Sequence, residues 1–180
     1  DTIIAAGNVT HTEGILGGTW EVQGNVTIGA GADGGAGTLT YTGTGSKTYT
    51  YSAGGVGPHL RVNNASVTVT PATGTTALSI DLFSLLAGSF TAPSGTLTVG
   101  RATGVSETIF TVATGTTFTP NAGTVTFNPH SNSGGGTQYT KTIDVATSLT
   151  LNHVTVDTGP FGGSVTQLLT TAAGDTIIAA

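Results

Sequence analysis

The side chains in this sequence that could do chemistry are few and far apart. His11, His59, His130 and His153 are the candidate metal ligands, yet no two stand in the HxH or HExxH spacing that aims two imidazoles at one ion. They are read as surface or loop histidines. Asp33, in the run GAGADGGAG, could offer calcium one carboxylate, but an oxygen shell needs such a motif stacked several times, so a plain turn is expected. Cleaving a glycan needs carboxylates with a basic partner in one groove, because charge has to be created and stabilised there. Asp81, Glu107, Asp144 and Asp157 are isolated in the sequence, and Lys47, Arg61, Arg101 and Lys141 are the whole supply of lysine and arginine. No catalytic residue, cofactor-binding residue or metal ligand is assigned, and the chain is read as non-enzymatic. Asn8-Val9-Thr10, Asn25-Val26-Thr27 and Asn64-Ala65-Ser66 fit the N-glycosylation pattern, a match that a chain rich in Asn and Thr also makes by chance.

The elements that would have to position these groups are short and β-prone. Thr38-Leu39-Thr40-Tyr41-Thr42, Lys47 to Tyr51 and Val67-Thr68-Val69-Thr70 alternate apolar and hydroxylic residues, the period of a strand with one buried face. Gly, Asn and Pro punctuate them. Residues 77–90 (ALSIDLFSLLAGSF) place Leu78, Leu82, Leu85 and Leu86 near a helical stripe, but period-two patterning flanks the stretch on both sides and a strand reading is preferred. Phe90, Thr91, Gly95, Thr96, Leu97, Thr98 and Val99 match Phe118, Thr119, Gly123, Thr124, Val125, Thr126 and Phe127 without a gap, at an offset of 28. Weaker matches set Gly37–Tyr41 against Gly123–Phe127 at 86, and Leu60–Asn63 against Leu149–Asn152 at 89.

A longer period frames these. Asp1-Thr2-Ile3-Ile4-Ala5-Ala6 returns as Asp175-Thr176-Ile177-Ile178-Ala179-Ala180, an offset of 174. The reading is one 174-residue repeat with the first six residues of the next copy attached, and a possible internal duplication near 87 residues. Asp1, Thr2, Ile3 and Ile4, with Asp175, Thr176, Ile177 and Ile178, are the repeat-junction residues.

Composition narrows the class. Charged residues are 7% of the chain, against roughly 25% in ordinary soluble proteins, while hydrophobic residues are 37%, too many for a disordered polar tract. A formal charge of -5 with four cations leaves no basic stripe, so nucleic acid is not expected as a partner. There is no Cys for a disulfide or thiolate site, and no run long enough to span a membrane. The first residues carry no Met, basic region or signal-like apolar region, so either a removed signal or an excerpt of a longer polypeptide is expected. Abundant Thr, Ser and Gly with few Lys/Arg cleavage sites suit the outside of a cell.

A chain that keeps issuing strands with one apolar face buries them by stacking coil on coil. The expected fold is all-β: a right-handed parallel β-helix, or β-solenoid, of about six coils, with Leu39, Tyr41, Val67, Val69, Leu97, Val99, Val125, Phe127, Leu149 and Leu151 inward and the intervening threonines outward. Tandem Ig-like β-sandwiches are the alternative, weakened by the 28-residue offset and the missing Cys marks. The segments GTLTYTGTGSKTYTYS, HLRVNNASVTVT, SFTAPSGTLTVG and TTFTPNAGTVTFN resemble the β-strand-repeat surface proteins of bacteria, in the style of filamentous adhesins and autotransporter passengers, over about residues 37 to 156. That resemblance implies export, a right-handed β-helix and a surface or fibre role, and supplies no site residues. The expected function is a structural repeat of an extracellular filament whose partners are further copies of itself, end to end. The alternative is an adhesin module recognising a surface or carbohydrate, for which Trp20, Tyr49, Tyr51 and Tyr139 would cluster outward. An ice-binding face of Thr-x-Thr rows would demand strict spacing between coils, and the drifting offsets argue against it.

Overall fold

The structure is a computed structural model and describes residues 1–101, 104–129, 139–157 and 167–180. Among these residues it contains strands and no helix, and every strand pair is parallel. Parallel pairing throughout excludes tandem Ig-like sandwiches, whose hairpins and Greek keys require antiparallel neighbours. No helix is therefore long and apolar enough to cross a membrane among the described residues. The helically spaced stretch 77–90 forms the strands Ala77–Ile80 and Phe83–Thr91, which bury Leu78, Ile80, Phe83 and Leu85 and leave Leu86 exposed.

The strands stack into a β-solenoid-like body with three faces. The long face is a ladder of eight strands: Thr2–Ala5, Thr19–Val22, Thr38–Tyr41, the first half of His59–Pro71, the first half of Phe83–Thr91, Glu107–Val112, Tyr139–Val145 and Gln167–Thr171. The second face holds Val9–Gly14, Val26–Ala32, Gly45–Tyr51, the second halves of His59–Pro71 and Phe83–Thr91, and Thr117–Thr119. Because two strands run across the corner, both faces belong to one 12-stranded sheet. The register of those two strands shifts between Val62 and Thr68, where the corner lies. The third face is the four-stranded sheet Ala77–Ile80, Thr96–Val99, Thr124–Phe127 and His153–Val156. Ser148–Leu151 and Thr176–Ala179 pair as a separate two-stranded sheet; in chain order they take the second-face position of the last coils.

Coil length is not constant. On the long face Thr2 pairs with Thr19, an advance of 17; Thr19 with Thr38, 19; Thr38 with His59, 21; Leu60 with Phe83, 23; and Phe83 with Phe110, 27. The later steps, Glu107 to Lys141 and Tyr139 to Gln167, are 34 and 28. The body widens because the third face starts as single bridges, Asp33 to Val56 and Gly57 to Ile80, and becomes four-residue strands from Ala77 onward. The 28-residue offset seen in the sequence is the coil advance in this wide region: Phe90 pairs with Phe118, Leu97 with Val125 and Val99 with Phe127. The segments matched at 86 and 89 lie on different faces from their counterparts.

All ten residues of the expected inward row are buried. Narrow coils are filled by Val22, Val26, Ile28 and Leu39, whereas the wider coils take aromatic rings. Tyr49 stacks on Phe90 at 5.4 Å, Phe83 lies 4.7 Å from Phe90 and 5.1 Å from Phe110, and Phe110 meets Phe127 edge-on at 5.4 Å. Rings at such offsets add about 0.5–1.5 kcal/mol per pair beyond area burial. At the corner, Gly88 has a φ of 85°, and a Cβ there would run into the Asn64 and Val67 carbonyl oxygens. Only Gly relieves both demands.

Candidate functional site

The charged residues that look isolated in sequence meet where the chain turns from the third face into the long face. Asp81 and Arg101 follow third-face strands, and Glu107 opens a long-face strand whose register partner is Lys141. Glu107 Oε1 accepts a hydrogen bond from Lys141 Nζ at 2.5 Å, and its Oε2 accepts one from Arg101 Nη2 at 2.7 Å. Lys141 is completely buried and also donates to the Val105 carbonyl at 3.0 Å. Asp81 Oδ2 accepts the Gly35 N–H at 2.7 Å, and Arg101 Nη1 reaches the Gly35 carbonyl at 3.5 Å. The corner thus ties together coils separated by as many as 66 residues.

Beside it, His59 Nε2 lies 2.8 Å from Ser84 Oγ, and Ser84 pairs in register with Arg61. Arg61 Nε is buried and has no hydrogen-bond partner among the described residues. Burial, then the charges of Arg61 and Arg101, lowers His59 to a pKa of about 4 against the opposing pull of Glu107. The imidazole is neutral at neutral pH. Asp81 moves the other way: burial raises its carboxyl, the Gly35 N–H and Arg101 draw it back, and Glu107 pushes it up again. Glu107 is engaged on both carboxylate oxygens, and Ser84 is only 8% exposed. Chemically this arrangement is an ionic clamp between coils with a shielded His–Ser pair next to it.

The remaining candidates lie apart. His11 is buried, with Nε2 2.8 Å from the Gly14 carbonyl, and His153 is exposed on the third face. His130 lies outside the described residues. Asp33 is an exposed bridge residue. No group of three His, Asp or Glu side chains is placed to hold a metal among the described residues. The sequon asparagines serve the turns. Asn8 Oδ1 accepts the Asn25 N–H at 2.8 Å, Asn25 Oδ1 accepts the Thr48 N–H at 2.9 Å, and Asn64 Nδ2 donates to the Thr42 carbonyl at 2.7 Å.

The repeat-junction residues form the two outermost strands. Thr2, Ile3 and Ile4 pair with Thr19, Trp20 and Glu21, and Thr176, Ile177 and Ile178 pair with Ser148, Leu149 and Thr150. Ile3 and Ile177 stand in inward rows, Ile4 and Ile178 in outward ones, so the alternation is the same in both copies. The Asp175 carboxylate accepts the Val145 N–H at 2.7 Å. The faces differ: the first copy lies on the long face and the second in the second-face position. Ile3 is 48% exposed and Ile4 64%; at the other end Val156 is 48% and Ile178 46% exposed. There a cavity of about 340 Å³ opens, lined by Phe127, Ile143, Val154, Val156, Leu169 and Ile177 among others.

The aromatic side chains do not gather on the outside. Tyr49 is fully buried, Tyr51 donates its hydroxyl to the Gly55 carbonyl at 2.8 Å, Trp20 packs partly against the core, and Tyr139 is half-buried. No family model, curated protein or solved structure matches the chain.

Proposed function

We propose that this chain is a structural repeat unit of an extracellular or cell-surface filament, built as a right-handed β-helix and partnered by copies of itself end to end. The observation that carries the reading is the state of the two end coils. Among the described residues each offers an unpaired strand edge together with an exposed aliphatic side chain of the inward row, Ile3 at one end and Val156 at the other, and such edges recruit further strands unless they are blocked. Strands of the same sequence, Thr2–Ala5 and Thr176–Ala179, stand at the two ends with the same inward and outward alternation, the first on the long face and the second in the second-face position. Right-handedness follows from the strong bias of parallel crossovers in one sheet toward that hand. One coil per long-face strand makes eight coils, where a constant advance of 28 made about six.

The inward aromatics support a shaft over an adhesin module, since interface hot spots draw on exposed Tyr and Trp. The polar corner supports a structural role over catalysis, because its carboxylates are spent on partners from other coils. Low charge and abundant Thr and Gly support an extracellular setting. The test is a chain carrying two consecutive copies of residues 1–174. It is expected to unfold in one transition at a higher temperature than the single copy and to image as one rod of twice the length. Two separate lobes melting at the single-copy temperature would overturn the proposal.

A further inference from the structure

The second face carries an ordered surface that end-to-end assembly does not use. On four successive strands the outward positions are Ser46 and Thr48, Thr68 and Thr70, Ser89 and Thr91, and Thr117 and Thr119. Ser46 pairs with Thr68, Thr68 with Ser89 and Ser89 with Thr117. Thr48 pairs with Thr70, Val69 with Phe90, which sets Thr70 beside Thr91, and Thr91 pairs with Thr119. No register shift interrupts the block. Two columns of four hydroxyls result, and all eight side chains are exposed or half-exposed. Coil lengths vary in this region, but the variation is absorbed between faces and leaves the hydroxyl lattice intact.

Strand geometry alone does not dictate this composition. The corresponding row on the long face runs Ile4, Glu21, Thr40, Arg61, Ser84, Thr111 and Asp144, which mixes charge, apolar bulk and hydroxyl under the same backbone demands. On the third face one row, Ser79, Thr98, Thr126 and Thr155, is hydroxylic throughout, but the other keeps only Thr96 and Thr124 between Ala77 and His153, which leaves six hydroxyls where the second face has eight. The second-face block is neutral at all eight positions. Phe90, which stands between the two columns on its strand, is fully buried, so it offers no aromatic platform to a sugar.

We propose that this second-face block binds ice. Adjacent parallel strands set its hydroxyls about 4.8 Å apart, and alternate residues along a strand set them about 6.7 Å apart. Oxygen rows on the prism faces of hexagonal ice repeat at nearly these two distances, slightly shorter across and slightly longer along. A neutral lattice of hydroxyls held on a rigid sheet can order water in that pattern with little side-chain freezing, because six of the eight positions are β-branched Thr, which has little χ1 freedom to lose, and only Ser46 and Ser89 are not. Charged or sulfated ligands find no countercharge here.

The test is ice growth inhibition and uptake into a growing ice front by the purified chain, compared with Thr70→Tyr, Thr117→Tyr and Thr98→Tyr. Far-UV circular dichroism and thermal unfolding verify the fold of each. The chain and Thr98→Tyr, whose substitution is on the third face, are expected to act on ice alike. Thr70→Tyr, which puts a ring in the middle of the block, is expected to lose the effect. Thr117→Tyr, at an exposed edge position that tolerates bulk, gives the same readout should Thr70→Tyr fail to fold. An unsubstituted chain with no effect on ice, or folded second-face variants that retain it in full, would overturn the proposal.

Discussion

His59 shows how one buried side chain makes a solenoid sensitive to pH. Its pKa falls from 6.5 to about 4 in the folded chain, so between those values the unfolded state binds more protons and stability declines as pH drops from 6.5 toward 4. Asp81 acts in the opposite sense, since a raised carboxyl pKa makes the folded state the better proton acceptor just above 3.8, and that contribution fades as pH rises. His59→Gln is therefore expected to flatten the loss between pH 6.5 and 4, and Asp81→Asn to remove the opposing component, both read from urea midpoints across that range. Lys141→Ala removes a fully buried cation from the Glu107 carboxylate, which is 13% exposed, and is expected to cost about 3–5 kcal/mol in the same measurement. None of this corner was legible beforehand. Glu107 and Lys141 are 34 residues apart, Gly35 and Asp81 46, and their meeting depends on coil advances that the sequence does not print. The scarcity of charge was legible; its concentration was not.

At the scale of strands, alternation was a sufficient guide wherever it was clean. TLTY, TLTV and TVTF all form strands that bury the expected apolar residues, although Thr40 in TLTY is buried as well, and the stretch 77–90 follows its neighbours into the sheet despite its leucine spacing. The 28-residue match was a true register because at that step the chain advances by 28 on both the second and the third face. Shorter coils left no such trace, since each step from Thr2 to Phe110 differs from the one before it. Phe83 touches Phe90, Phe110 and Phe118, rings supplied by three different strands. Phe83→Ala is expected to cost about 3–5 kcal/mol by chemical denaturation, the range for deleting a buried ring that its neighbours cannot collapse around. Gly88→Ala forces a left-handed backbone on a residue with a Cβ, and is expected to lower the thermal midpoint by the equivalent of at least about 1–2 kcal/mol.

For the whole molecule, the repeated ends were plain in the sequence, whereas their placement on different faces was not. Under the proposed assembly, Ile177→Asp puts a charge into the apolar mouth beside Leu169 and Val154 and is expected to abolish concentration-dependent association in sedimentation velocity and, because Ile177 packs partly against the core, to lower the unfolding midpoint as well. Ile4→Asp tests the opposite end in the same experiment. The growth of the coils from 17 to 28 residues also gives the body a narrow end and a broad end. Joined head to tail, such bodies would form a shaft with a waist once per copy, like nested cones. Each waist would be the place where such a shaft bends first, and its direction could be told from its outline alone.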